Sequence, residues 1–189
     1  MASTINSSSI STTTLDASTI GSFPAGHILQ VQNYFTNAEL TCVCAANQVT
    51  DLGSFTVSIT PSSSSNKILV MLSLAGFNFS STNYGIAGTG ALRRKIASGS
   101  FTSIGVGQGN SNFNGSFNLA QINSYQYNAQ LNKTFLDSPS TTSTCTYGIA
   151  VADHNNGTQT FYLNRMGTTG DNPYSPCLSS SIIVMEVVA

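Results

Sequence analysis

From Phe23 to Ala189 no capped run of ten or more residues repeats apolar side chains at helical spacing. In place of helices the chain has about ten short β-type runs divided by turn residues. The cleanest is Ser54-Phe-Thr-Val-Ser-Ile-Thr60, which puts Phe55, Val57 and Ile59 on one face. Pro61 ends it, and residues 62–66 form a turn. Residues 67–79 are apolar on both faces through Ile68, Leu69, Val70, Met71, Leu72 and Leu74, which predicts a central strand covered on two sides, inside the sandwich or at a subunit contact. Residues 180–189, around Ile182, Ile183, Val184, Met185, Val187 and Val188, predict a final buried strand. Further strands are expected over 27–33, 39–49, 91–96, 101–106, 117–127, 133–136 and 144–152, with loops at 105–115 and 166–177. Asp153-His-Asn-Asn-Gly157 carries an Asn-Gly turn and predicts a hairpin between 144–152 and 158–165. The implied fold is all-β, an antiparallel β-sandwich of the jelly-roll type over residues 23–189.

Residues 1–22, MASTINSSSISTTTLDASTIGS, have a different texture: small and polar, with Ile5, Ile10, Leu15 and Ile20 five apart. That spacing matches neither strand nor helix, and so little apolar surface does not offset the entropy of ordering. The segment reads as an extended N-terminal arm, pinned by a partner.

Only six basic and seven acidic residues occur in 189, for a net charge of −1. Nucleic-acid binding needs a basic face, so it is not expected. The one cluster, Arg93-Arg94-Lys95, divides between two faces of a strand, which predicts two solvated bases and one paired or interfacial arginine. No stretch approaches the ~20 apolar residues of a membrane helix, and the start has no basic-then-apolar leader. The expectation is synthesis in a cytoplasm, with Cys42, Cys44, Cys145 and Cys177 reduced. Strand edges with so few charges are naturally covered by another subunit, so oligomerisation is expected.

Catalytic chemistry is poorly represented. The two histidines are His27, beside the first strand, and His154, in the Asn-Gly turn, and no nucleophile elbow accompanies them. A depolymerase would need two carboxylates across a groove, and no pair is marked. Enzymatic activity is therefore not expected. Cys42-Val-Cys44 places two thiols on one face of a strand, but structural zinc pairs have about two to four residues between their cysteines. The thiols read as small buried apolar groups, and neither a metal nor a cofactor is assigned.

Five segments carry a resemblance: Gly26-His-Ile-Leu-Gln-Val31, Ser62-Ser-Ser-Ser-Asn-Lys-Ile-Leu-Val70, Phe135-Leu-Asp-Ser-Pro139, Thr160-Phe-Tyr-Leu-Asn-Arg165 and Ser180-Ser-Ile-Ile-Val-Met-Glu186. In order and spacing they resemble small trimeric jelly-roll virion structural proteins of tailed phages, common in marine and cyanobacterial phages and similar in architecture to C1q and tumour-necrosis-factor knobs. The resemblance spans nearly all of residues 26–189. It implies a homotrimer on the virion surface, made in the host cytoplasm, with no catalytic motif. Its arm would attach it to the particle. One implied role is a capsid cement or decoration protein, with Ile5, Ile10, Leu15 and Ile20 docking singly on the major capsid protein. The alternative is a receptor-binding knob of a short tail or head fibre, held by a fibre or tail attachment protein, with Asn112, Phe113, Asn114, Tyr125 and Tyr127 gripping a host glycan. Those aromatics serve equally as core or trimer-axis material. If the trimer forms, Leu69, Met71, Ile183 and Met185, on the second faces of their strands, are the candidate threefold contact.

Overall fold

The computed structural model describes residues 24–45, 48–79, 88–108, 115–119, 130–153, 158–165 and 178–189, and the regular structure there is all β-strand. The strands are β1 (Ile28–Thr36), β2 (Leu40–Cys44), β3 (Val49–Ile59), β4 (Lys67–Ala75), β5 (Asn78–Phe79), β6 (Gly88–Ile96), β7 (Thr102–Ile104), β8 (Phe117–Asn118), β9 (Gln130–Asp137), β10 (Cys145–Asp153), β11 (Gln159–Leu163) and β12 (Ser180–Val187). Three antiparallel sheets result. β1-β12-β4-β9 forms one; β3-β10-β6-β7, with β8 also on β6, forms the second; β2-β11-β5 forms the third. Strands remote in sequence interleave, as in a jelly roll, and the whole is an antiparallel β-sandwich.

The period-2 patterns explain the core. Ile68, Val70, Leu72 and Leu74 of β4 and Ile182 and Val184 of β12 turn inward. They join Phe55, Val57 and Ile59 of β3 and Cys145, Tyr147, Ile149 and Val151 of β10 in one buried cluster. Tyr34 of β1 meets Phe55 edge-on at 5.6 Å, tying the first sheet to the second.

Three expectations are corrected. Residues 144–152 and 158–165 do not form a hairpin: β10 pairs with β3 and β6, while β11 pairs with β2 and β5. Both hydrogen-bonding edges of β10 are already taken, so the chain crosses to another sheet. Residues 154–157, with the Asn-Gly turn and His154, lie outside the described residues. The strand expected over 67–79 breaks at Gly76, whose φ of 58° turns the chain from β4 into β5. A side chain there would sit 2.8 Å from Leu178 Cδ1, and the carbonyls of Ala75 and Gly76 accept bonds from the amides of Asn164 and Arg165. The strand expected over 39–49 is likewise two, β2 and the start of β3.

Candidate assembly surface

Cross-strand partners in an antiparallel sheet project from the same face. In the first sheet the register lines up Val31, Met185, Leu69 and Leu136 in one row and Asn33, Ile183, Met71 and Thr134 in the next. A flanking row places Ile28 beside Val187 and Lys67, and another places Phe35 beside Ser181, Ser73 and Asn132. This is the outward face, because the alternate residues of β4 and β12 are the buried ones. Val31, Met71 and Leu136 are 51%, 41% and 47% exposed and Phe35 is 59% exposed, while Leu69, Ile183 and Met185 are half-buried by their neighbours. The two-sided apolar pattern of β4 and β12 is thus covered on the inner side only.

The structure brings Leu69, Met71, Ile183 and Met185 together as two adjacent cross-strand pairs, Leu69 with Met185 and Met71 with Ile183. Sequence reasoning missed Val31, Phe35 and Leu136, which extend the same surface onto β1 and β9. A signal for them existed in β1, where apolar Val31 faces outward and polar Gln30 faces in toward Glu186. The arm residues Ile5, Ile10, Leu15 and Ile20, and the glycan candidates Asn112, Phe113, Asn114, Tyr125 and Tyr127, lie outside the described residues.

The outer face of the second sheet has opposite chemistry. Ser58 and Thr146 hydroxyls lie 2.9 Å apart, and those of Thr60 and Thr144 lie 2.8 Å apart. Arg93 donates to Asp51 at 2.8 Å, to Ser103 Oγ and to the Phe101 carbonyl, and the Lys95 ammonium rests over the Phe101 ring. Arg93 is therefore paired and not a solvated base, a correction to the sequence expectation. Arg94 pairs with Asp137 and Arg165 with Glu39, so every arginine in the chain is in an ion pair.

Buried polar clusters hold the first sheet in place. Glu186, with no exposed surface, accepts bonds from Gln30 Nε2 (2.6 Å), the Ser62 amide (2.7 Å), Ser62 Oγ (2.7 Å) and Asn66 Nδ2 (2.6 Å). Burial pushes its pKa up, but the bonds from Asn66, Gln30 and Ser62 outweigh that and hold it below the usual carboxylate range. Both carboxylate oxygens of Asp137 in β9 accept from Arg94 Nη1 at 2.9 Å, and one of them also accepts from the Tyr147 hydroxyl at 2.7 Å, bridging the two large sheets. Burial, and then donation to Asp137, push the Tyr147 hydroxyl far above the ordinary phenol range. Buried Asn164, at φ 63°, donates to the carbonyls of Thr36 and Ala38 and accepts from Ser180 Oγ, which in turn accepts from the Ala75 amide.

Among the described residues Cys42, Cys44 and Cys145 form no disulfide, and burial raises the pKa of Cys145; Cys177 lies outside the described residues. Among the described residues no group of three or more His, Cys, Asp or Glu is placed to hold a metal, and no helix is long and apolar enough to cross a membrane. Neither a protein-family model nor a curated protein matches the chain.

Proposed function

We propose that the chain is a non-catalytic structural subunit of a phage virion surface, a capsid cement or decoration protein that assembles as a trimer through the outer face of its four-stranded sheet. One observation carries the reading: the contiguous outward rows of Val31, Met185, Leu69 and Leu136, and of Ile183 and Met71. An antiparallel sheet with a solvated outer face normally shows polar residues there, as the second sheet does with its serines, threonines and paired charges. With strands about 4.8 Å apart and same-face residues about 6.8 Å apart, these two rows and the flanking Ile28, Val187 and Phe35 cover roughly 300 Å². Contiguous apolar patches of that size are often functional.

Trimeric stoichiometry and a virion location rest on the resemblance carried by residues 26–189. In this role residues 1–22 are the attachment segment, with Ile5, Ile10, Leu15 and Ile20 docking on the major capsid protein. Sedimentation equilibrium of the full chain is expected to give a trimer; a monomer at every concentration would sink the assembly reading. Cryo-electron microscopy of the virion tests the location, with density on the shell expected. Density at a fibre or tail tip would replace the decoration role with host recognition.

A further inference from the structure

Three long strands lie at sheet edges, β1 and β9 in the first sheet and β3 in the second. An open edge is a template for pairing with another chain unless charge, a bulge or a cover blunts it. β3 carries Asp51 and bulges where residues 52–55 stand opposite Ile149. β9 carries Lys133 and ends on Asp137. β1, Ile28-Leu-Gln-Val-Gln-Asn-Tyr-Phe-Thr36, has neither charge nor proline, and its one irregularity lies at its start, between Ile28 and Gln30. β12 takes one of its edges, and among the described residues no strand bonds to the other. Val31, Gln32 and Asn33 are exposed in succession, so neither face of the strand is covered there.

The order of residues along β1 suits one partner, a second β1 running the opposite way. Val31, Asn33 and Phe35 share the outer face, and Gln30, Gln32 and Tyr34 the inner one. With Asn33 on a two-fold axis, antiparallel pairing sets Val31 against the partner's Phe35, twice, and Gln32 against the partner's Tyr34. Cross-strand pairs of a β-branched and an aromatic side chain are favourable, and no like charges meet. Moving the axis to Gln32 or Tyr34 sets Val31 or Phe35 against Asn33 and loses both apolar pairs. We propose that β1 is a self-pairing edge, which joins the four-stranded sheets of two copies of this chain into one sheet. Residues 30–36 of the two copies overlap, about 24 Å of edge on a sheet about 10 Å thick, which buries on the order of 500 Å² in all. Stable complexes bury about 1,200 Å² or more. The contact therefore forms where copies are concentrated or already held close, as on a particle surface, and leaves a dilute solution unlinked. Only that setting rests on the proposed virion role. The pairing lies in the plane of the sheet and does not need the trimer, which uses the outer face.

Cysteines at the paired positions read the register, because Cα atoms directly opposite in an antiparallel pair lie about 4.5–5.5 Å apart, within reach of a disulfide. Val31→Cys and Phe35→Cys are made in a background of Leu69→Lys with Met71→Lys, which alters the proposed trimer face on β4, two strands from β1. The two full-length variants are mixed at about 1 mM, a concentration that populates weak contacts, and oxidised with glutathione disulfide. Linked peptides are quantified by mass spectrometry. The expected result is a 31–35 link at least about tenfold above the 31–31 and 35–35 links, whose positions lie about 13 Å apart along the strands. The same mixture without the lysine substitutions carries the same expectation. Circular dichroism checks folding, and sedimentation of the background variant reports on the trimer separately. The proposal is overturned if the 31–35 link does not exceed the like-position links. It is also overturned if Val31→Cys links as readily to Leu136→Cys, which shares its outer row at the opposite edge of the sheet.

Discussion

A carboxylate with no solvent contact is stable only when donors replace its water, and Glu186 has four, from Gln30, Ser62 and Asn66. Its depressed pKa has a definite consequence for pH. Because the folded value lies below the unfolded one, the contribution to stability is present above the unfolded pKa of about 4.3 and is lost as pH falls through the folded value. Glu186→Gln should therefore be less stable than the wild type at neutral pH but lose less stability on acidification below about pH 4, as measured by urea unfolding across pH. Asp137 makes a sharper test, since its removal leaves Arg94 and the Tyr147 hydroxyl without their acceptor between the sheets. Asp137→Ala is expected to cost about 3–5 kcal/mol, and Tyr147→Phe, which keeps the ion pair, about 1 kcal/mol; equal losses in thermal unfolding would contradict this. Neither Glu186 nor Asn164 was singled out from the sequence: Gln30, Ser62 and Asn66 around the one, and Thr36, Ala38 and Ser180 around the other, lie far away along the chain, and nothing local announces them.

Local alternation found the inward residues of β3, β4, β10 and β12 because side-chain period is a property of each strand alone. Pairing is not. The Asn-Gly turn after β10 suggested the nearest partner, but β3 and β6 hold both edges of β10, and β11 completes the third sheet between β2 and β5. Occupancy of an edge by a strand about 90 residues earlier leaves no trace in a local pattern. Strand breaks were also underread: the apolar run over 67–79 concealed the turn at Gly76, where a positive φ and the nearby Leu178 side chain both demand glycine. Gly76→Ala should lower stability by about 1–3 kcal/mol through backbone strain and crowding, with the loss visible as a reduced thermal midpoint. An unchanged midpoint would mean that β4 and β5 do not need this corner.

At the scale of the molecule, the two large sheets present unlike outer faces, one apolar and one of hydroxyls and paired charges, so association through a single face is favoured over open-ended stacking. On the proposed trimer reading, replacing Met71 and Ile183 together by lysine should leave a folded monomer, because both side chains face away from the core. Sedimentation and circular dichroism read the two outcomes separately; a folded trimer in the double variant would remove this face from the interface. Two-sided apolar runs made Leu69, Met71, Ile183 and Met185 legible in the sequence, whereas Val31 and Leu136 needed the cross-strand register to join them. The position of β12 between β1 and β4 has a further consequence. Synthesis delivers β1 well before β12, so a growing chain carries an uncharged strand with Val31 and Phe35 and no strand neighbour until residues 180–187 emerge. Nascent chains are accordingly exposed to misassociation over that interval, and a chain broken off before Ser180 is left with β1 permanently unmatched.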